Sequence, residues 1–453
     1  MAAGHVQGGR LRRMAKLAGL AARTTADMVT ARAMQAVAGT DEKALGEALR
    51  PTAERMVEVL GEMKGVATKL GQFLSVVDQD GFPEEAKQAL QRLLHQAPRR
   101  LPAVEARAVI VAELGRPPEE LFAAFATEPF AAASMGQVHA ARLADGREVI
   151  VKIQFPGIDE AIEADLRNAG AMAKALSLGG AMLDGRGFLE EIAATLRREL
   201  DYGEEIKQLE EFRAVASAWP DLWIPDPVPA LSTRRVLTLE RLPGPTLLEF
   251  SRDPTRTAAE RFRVARQLIN ASWGPFMATG LIHADPHPGN YIVCPDGRLG
   301  VLDFGATRWI PLDFAHAYGE ILRRGLGGED QRYVDALAHV GFVFRADAPT
   351  TEAWLQAIAR IIERPLLSDH YDWETCRISS DLLRFKTRNP TFALMCRPPE
   401  ASLMFYRSIA GVAGDLRILR AKGNFRQAMA DMYATACAHR SPAMMALAAG
   451  DRR

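Results

Sequence analysis

Cysteine is scarce in this chain: four in 453 residues, at positions 294, 376, 396 and 437, with no CxxC pair. That excludes a disulfide framework or a cysteine metal cluster as the organising device, and it suits a reducing compartment. Long apolar runs are missing as well. The nearest, residues 168–185, is interrupted by Lys174, so nothing reaches the roughly 18 uninterrupted apolar residues of a membrane span. Charge of one sign is not in excess, with 56 acidic and 56 basic residues. Net charge therefore offers no argument for a nucleic-acid partner, and none is expected. The N-terminus lacks an apolar core followed by a cleavage signal, and it lacks an Arg- and Ser-rich transit segment. The expected location is the cytoplasm, with peripheral contact at a membrane. The tail Ser441–Arg453 is too short and polar to cross one.

What is present reads as a globular chain with room for two or three domains. Residues 1–45 form a basic, Ala-rich segment. Arg10, Arg12, Arg13, Lys16, Arg23 and Arg32 stand against a single Asp27 in its first forty residues. It is either an amphipathic helix for an anionic membrane surface or a solvated terminus. Residues 46–128 read as a helical extension. Met56, Leu60, Met63, Ala67, Leu70 and Leu74 recur at helical steps within Pro51–Val77 and place Lys69 and Gln72 together. Further helices are expected over 83–96 and 102–114, and a helical turn from Pro117 through Phe125. Residues 129–244 change character. An Asp145-Gly146 turn joins two apolar runs as a hairpin. Long helices follow over 158–178 and 188–216, then the Pro-rich stretch 220–229 and a strand at 236–239. Residues 245–453 open with a helix over 255–279, stopped by Gly280, and read as helical after Gly305.

The stretch Leu281–Gly305, LIHADPHPGNYIVCPDGRLGVLDFG, carries the chemistry. It holds Asp285, Asn290 five residues later, and then Asp303-Phe304-Gly305. In that order and spacing these are the parts of a phosphoryl-transfer site of the protein-kinase type. Asp285 would orient the attacking hydroxyl, and Asn290 and Asp303 would hold magnesium. Strands at 291–293 and 299–302 around Pro295-Asp296-Gly297 predict a hairpin that brings Asn290 and Asp303 together. A zinc site built on His283-x-Asp285-x-His287 is disfavoured, because Pro286 and Pro288 prevent a helical ligand face. Lys152, inside the apolar strand Val149–Ile153, is costly to bury without a partner. It matches the strand lysine that contacts nucleotide phosphates, and it needs a glutamate from the 188–216 helix. The place of a glycine-rich phosphate loop is filled by Ala131, Ala132, Ala133 and Ser134, with only Gly136 retaining glycine's freedom. The backbone of Glu240-Arg241-Leu242 is expected to serve as a linker that meets the adenine edge.

These residues resemble the UbiB (AarF-type) atypical kinase-like proteins, most of all the members that support coenzyme Q biosynthesis. The carriers are KLGQ at 69–72, PFAAASMGQVHAA at 129–141, VIVKIQFPG at 149–157, ELDY at 199–202, HADPHPGN at 283–290 and LDFG at 302–305, with NPTF and RPPE at 389–400 as weaker matches. The resemblance covers the chain from about Met56 onward. It implies an α+β, bilobal, protein-kinase-like fold: a small β-containing N-lobe, a mainly helical C-lobe and an N-terminal helical extension. It implies that the K-x-G-Q helix covers the active site, with Lys69 and Gln72 meeting Glu199 and Asp201 where a protein substrate would lie. It names Glu205 as the partner of Lys152, ATP or ADP with Mg2+ as cofactors, and isoprenoid or quinone-type lipids, quinone-biosynthesis proteins and a membrane surface as partners. Gly203 and Gln208 depart from the family pattern.

Three functions follow. The leading one is a Mg-dependent ATPase or small-molecule kinase that assists ubiquinone or other isoprenoid lipid metabolism. An ordinary protein kinase is disfavoured, because Ala284 replaces the arginine that binds a phosphorylated activation loop, and no A-P-E follows Asp303. A nucleotide-gated lipid-binding scaffold is the third.

Overall fold

The computed structural model describes residues 100–133, 135–164, 166, 193–194, 196–328, 332–399 and 401–440. The expected basic segment, the helices over 51–77 and 83–96 with Lys69 and Gln72, Ser134, most of the 158–178 helix and the 441–453 tail lie outside these residues. The chain divides into two compact units. One holds the described residues up to Tyr202 together with Pro229–Thr238; the other holds Gly203–Val228 and the chain from Leu239 onward. The expected 129–244 span is therefore shared between them. The fold is protein-kinase-like, mixed and mostly helical.

The first unit is built on a small sheet. Helix α1 (Ala103–Leu114) starts after Pro102 and ends where Gly115 turns left-handed at φ +75. It buries Ala106 and Ile110. The turn that follows stops at Leu121, short of the expected Phe125, because Ala124–Phe125 is a strand, β1, paired with Arg142 and Ala141. Strands β2 (Ala131–Ala133), β3 (Gly136–Arg142), β4 (Glu148–Gln154) and β5 (Val236–Glu240) complete the sheet, in the order β1-β3-β4-β5 with β2 on β3. The Asp-Gly turn forms as expected: Gly146 has φ +90, and Arg147 N donates to Asp145 Oδ1 at 3.0 Å. Val149, Val151 and Ile153 are fully buried; each contributes about 1.5–3 kcal/mol relative to exposure. The expected single helix over 188–216 is broken. Leu200 and Asp201 are not helical, and α2 (Tyr202–Ala216) begins afresh.

In the second unit, α3 (Leu247–Arg252) and α4 (Ala258–Thr279) each open with a reciprocal capping box, Thr246 with Glu249 and Thr257 with Glu260. Both fit the S/T-x-x-E signature, worth about 1 kcal/mol at the cap. α4 thus starts three residues later than the sequence reading placed it. Gly280 stops α4 at φ +86, where a Cβ would lie 2.4 Å from the Ile310 carbonyl oxygen. Strands β6 (Leu281–His283), β7 (Tyr291–Val293), β8 (Leu299–Val301) and β9 (Thr307–Trp309) follow. β6 pairs with β9, and β7 with β8, antiparallel. Leu222–Trp223 adds a parallel edge to β8. Helices α5 (Leu312–Gly327), α6 (Ala401–Ile418) and α7 (Phe425–Ala438) pack against α4. Phe276, Phe314 and Phe405 fill the space with ring centroids 4.7–6.4 Å apart. The expectation of helix throughout after Gly305 needs correction. Besides β9, Val343–Phe344 pairs with Cys396–Arg397, and Tyr371–Asp372 pairs with Lys422–Gly423. Pairings of two residues leave too short a periodicity to read from sequence.

Candidate active site

The site of the second unit begins where β6 ends. Ala284 is fully buried and Asp285 is 7% exposed. Pro286 and Pro288 cannot donate to a helix or sheet, so the chain turns on itself. His287 N donates to the Asp285 carbonyl at 2.8 Å, and Asn290 N donates to the His287 carbonyl at 2.8 Å. Asn290 Nδ2 donates to the Asp285 carbonyl at 3.1 Å. That bond leaves the amide oxygen as the atom Asn290 can offer a cation.

The β7–β8 hairpin then sets Asp303 beside Asn290. Tyr291 pairs with Val301, and Leu302 N donates to the Asn290 carbonyl at 2.8 Å. The expected turn closes it, with Gly297 at φ +91 and its N–H bonded to the Cys294 carbonyl. Asp303 itself is left-handed, at φ +59. Aspartate tolerates this region better than most residues, yet it still costs energy, and such strain collects at functional sites. Two contacts hold it there. His283 Nε2 donates to the Asp303 carbonyl at 2.8 Å; a carbonyl only accepts, so this nitrogen carries the proton. Phe304, fully buried, lies 5.3 Å from the Phe212 ring and 5.7 Å from His283, perpendicular to it. An amide oxygen and a carboxylate are hard donors. They fit Mg2+, which keeps several waters and completes its shell with phosphate oxygens.

Sequence reasoning missed the third side of this site. Asp285 Oδ1 accepts from Arg407 Nη2 at 2.7 Å, with both side chains almost fully buried. Arg407 belongs to α6, 122 residues downstream. The same face of α6 supports the loop at two more points. Ser408 Oγ lies 3.5 Å from the His283 carbonyl, and Gly411 sits so close that a Cβ would be 2.4 Å from Pro286 Cγ. One turn further on, burial holds the Asp415 carboxyl well above the usual carboxylate range, and the Asp285 charge adds to the effect. Burial likewise pushes the Tyr291 hydroxyl up, with the charges of Asp415 and Asp285 adding to it. One signal was available in the sequence: Arg407 is the lone cation in the small and apolar run Ala401–Gly414.

The remaining predicted residues fall as follows. Lys152 is 9% exposed on β4, opposite Val138, with Nζ 5.4 Å from the Tyr202 ring centroid. Ala131–Ala133 are not a loop but a strand, in register with Val138, Gln137 and Gly136. Gly136 answers a different need from the one expected. Its φ is not positive; instead a Cβ there would lie 2.1 Å from the Ile153 carbonyl oxygen. Glu199 ends the helix before the break and Asp201 lies in the break, with its Oδ2 3.9 Å from Arg234 Nε. Glu205 is buried in the first turn of α2. Farther along α2, Glu211 is half-buried and accepts from Trp309 Nε1 at 2.9 Å. Glu240 spends its N–H on the Asp226 carbonyl at 2.7 Å, and its carboxylate accepts from Trp223 Nε1 and from Asp226 N. Leu242 is buried against Ile292 and Cys294.

A hairpin that carries Asn290 and Asp303, a tied Asp285 and a buried strand lysine define a protein-kinase-like chain. More narrowly, the chain belongs to the ABC1 atypical kinase-like family, whose model matches residues 93–336. It is 29% identical over 371 residues to the mitochondrial atypical kinase coq-8 of Caenorhabditis elegans, covering 79% of this chain and 48% of that one. It is 27% identical to the mitochondrial atypical kinase COQ8 of Saccharomyces cerevisiae, covering 79% and 72%. A solved structure from Mycobacterium tuberculosis, that of an Rv3197–erythromycin complex, superposes with a TM-score of 0.60 at 28% identity, over 89% of this chain and all of the other. The chain spans about half the length of the nematode relative.

Proposed function

We propose that this protein is a Mg-dependent, atypical kinase-like ATPase that supports the metabolism of ubiquinone or another isoprenoid lipid. The observation that carries the reading is the β7–β8 hairpin, which sets Asn290 beside a left-handed Asp303 and ties both backbones to the Asp285 loop. In the proposed mechanism Asn290 Oδ1 and the Asp303 carboxylate hold magnesium, which when bound neutralises charge on the transferring phosphate. Asp285 orients the incoming oxygen, from water or from an acceptor hydroxyl. Lys152 contacts the nucleotide phosphates, with Glu205 as its partner. The carbonyl of Glu240 and the backbone of Leu242 meet the adenine edge. Lys69 and Gln72, with Glu199 and Asp201, occupy the path of a protein substrate. The buried Ala284 supports this narrower role, since no arginine stands there to read a phosphorylated loop. Family membership and the COQ8 names of the relatives support the lipid assignment. Among the described residues no helix is long and apolar enough to cross a membrane.

The test is ATP turnover by the purified protein with Mg2+, with and without a polyprenyl or phenolic head-group ligand. Turnover above an Asp303→Asn control is expected. Equal turnover by both proteins under every condition sinks the reading.

A further inference from the structure

The Arg407–Asp285 pair is unlike the ion pairs on this protein's surface. Arg107–Glu119, for example, joins side chains 51% and 64% exposed, whereas the side chains of Arg407 and Asp285 are 3% and 9% exposed. Exposed pairs contribute little. A buried pair costs much of its attraction in lost hydration, and an apolar replacement of similar volume often does as well for stability. Stability is thus a poor reason to place an arginine here. The pair is also set on one particular carboxylate, that of the residue at the head of the phosphoryl-transfer motif.

The rest of α6 shows how Arg407 is itself held. Gly411 allows the helix backbone to press against Pro286, and Ser408 Oγ reaches the His283 carbonyl. Position 411 lies one turn beyond both 407 and 408, so three contacts lock the helix to the loop on both sides of Asp285. A guanidinium suits this task better than an ammonium. Its planar donors give a directional bond, whereas lysine supplies a mobile point charge.

We propose that Arg407 is a positioning residue for phosphoryl transfer: from α6 it fixes the charged Asp285 carboxylate in the orientation that receives the attacking oxygen. It does so without touching nucleotide. The proposal rests on the phosphoryl-transfer reading above and deepens it. It makes a helix 122 residues beyond the motif part of the reaction machinery.

The experiment measures kcat and KM for ATP in Arg407→Met, Arg407→Lys, Asp285→Asn and the double variant Arg407→Met/Asp285→Asn, with thermal unfolding of each. Arg407→Met is expected to lower kcat about 100-fold, the scale of a misplaced catalytic group, with KM for ATP unchanged. Arg407→Lys recovers part of the loss. In the Asp285→Asn background, Arg407→Met has no further effect on kcat, because its target is already gone. Arg407→Met leaves Asp285 buried without its cation, and this variant could fail to fold. The double variant, which removes both charges, and Arg407→Lys, which keeps the cation, then decide the matter.

Unchanged kcat in folded Arg407→Met overturns the proposal. So does an equal loss in the wild-type and Asp285→Asn backgrounds, or, if Arg407→Met does not fold, a double variant slower than Asp285→Asn or an Arg407→Lys as fast as wild type. A rise in KM for ATP with kcat intact overturns it too, since that pattern marks a nucleotide ligand. Wild-type turnover no higher than Asp303→Asn is a separate result: it removes the parent reading, and this proposal with it.

Discussion

At the scale of single residues, the site is decided by which polar groups are buried and who accompanies them. Asp415 is the clearest case, 2% exposed and held above the usual carboxylate range by burial first and by the Asp285 charge second. The sign of its effect on stability follows. The folded protein binds this proton more tightly than the unfolded chain, so stability falls as pH rises from the ordinary carboxylate range through the raised folded value. Asp415→Asn keeps the shape and removes the titration. The variant is expected to unfold at a higher temperature than wild type at neutral pH, with the advantage disappearing in acid. Thermal unfolding at several pH values checks this, and parallel curves for the two proteins would contradict it. Arg407 and Asp415 lie on one helix and face the same loop, yet neither belongs to a recognisable motif. Sequence motifs report residues that meet ligands; they are silent about the side chains that hold those residues in place.

At the scale of elements, the hairpin and the segment before it are fitted together through backbone. Gly244 sits at φ +126, and a Cβ there would lie 2.3 Å from the Val293 carbonyl oxygen. Val293 N in turn donates to the Pro245 carbonyl at 2.9 Å. A side chain at 244 is thus excluded by its own conformation and by the hairpin. Gly244→Ala is expected to cost about 2 kcal/mol and to displace the strand that follows Asn290. Denaturant unfolding reads the first effect, and loss of Mg2+-dependent nucleotide binding reads the second; a fully stable variant with normal binding would refute both. The hairpin was legible in the sequence because its turn chemistry and alternating strands are local. The break at Leu200–Asp201 was not. Nothing in ELDY forbids a helix, and the interruption arises as Tyr202 N bonds instead to the Arg234 carbonyl at 3.0 Å.

At the scale of the whole molecule, ligand binding and surface attachment are the quantities to measure. A ligand that binds only the folded state stabilises it by about 2.7 kcal/mol at one hundred times its dissociation constant. MgATP is therefore expected to raise the unfolding temperature of the wild type. Lys152→Met removes the phosphate contact and should abolish most of that rise; a full shift in the variant would exclude Lys152 from the nucleotide site. Vesicle binding tests the other expectation from sequence. Deleting residues 1–40 removes six basic side chains against one acidic and should weaken sedimentation with anionic vesicles. Equal sedimentation would assign the membrane contact to another part of the chain.

The sequence by itself determined the local chemistry. The spacing of Asp285, Asn290 and Asp303, the Asp-Gly and Pro-Asp-Gly turns and the strand around Lys152 are all encoded within a few residues of one another. The protein-kinase-like class was readable from them for that reason. What only the tertiary structure decided is how those groups are held. The Arg407–Asp285 pair, the Gly411–Pro286 contact, the tilted packing of Phe304 on Phe212 and the crowding of Gly136 by Ile153 each join residues that only folding brings together. No periodicity or spacing encodes such pairs, because burial of one partner is fixed by where the other arrives.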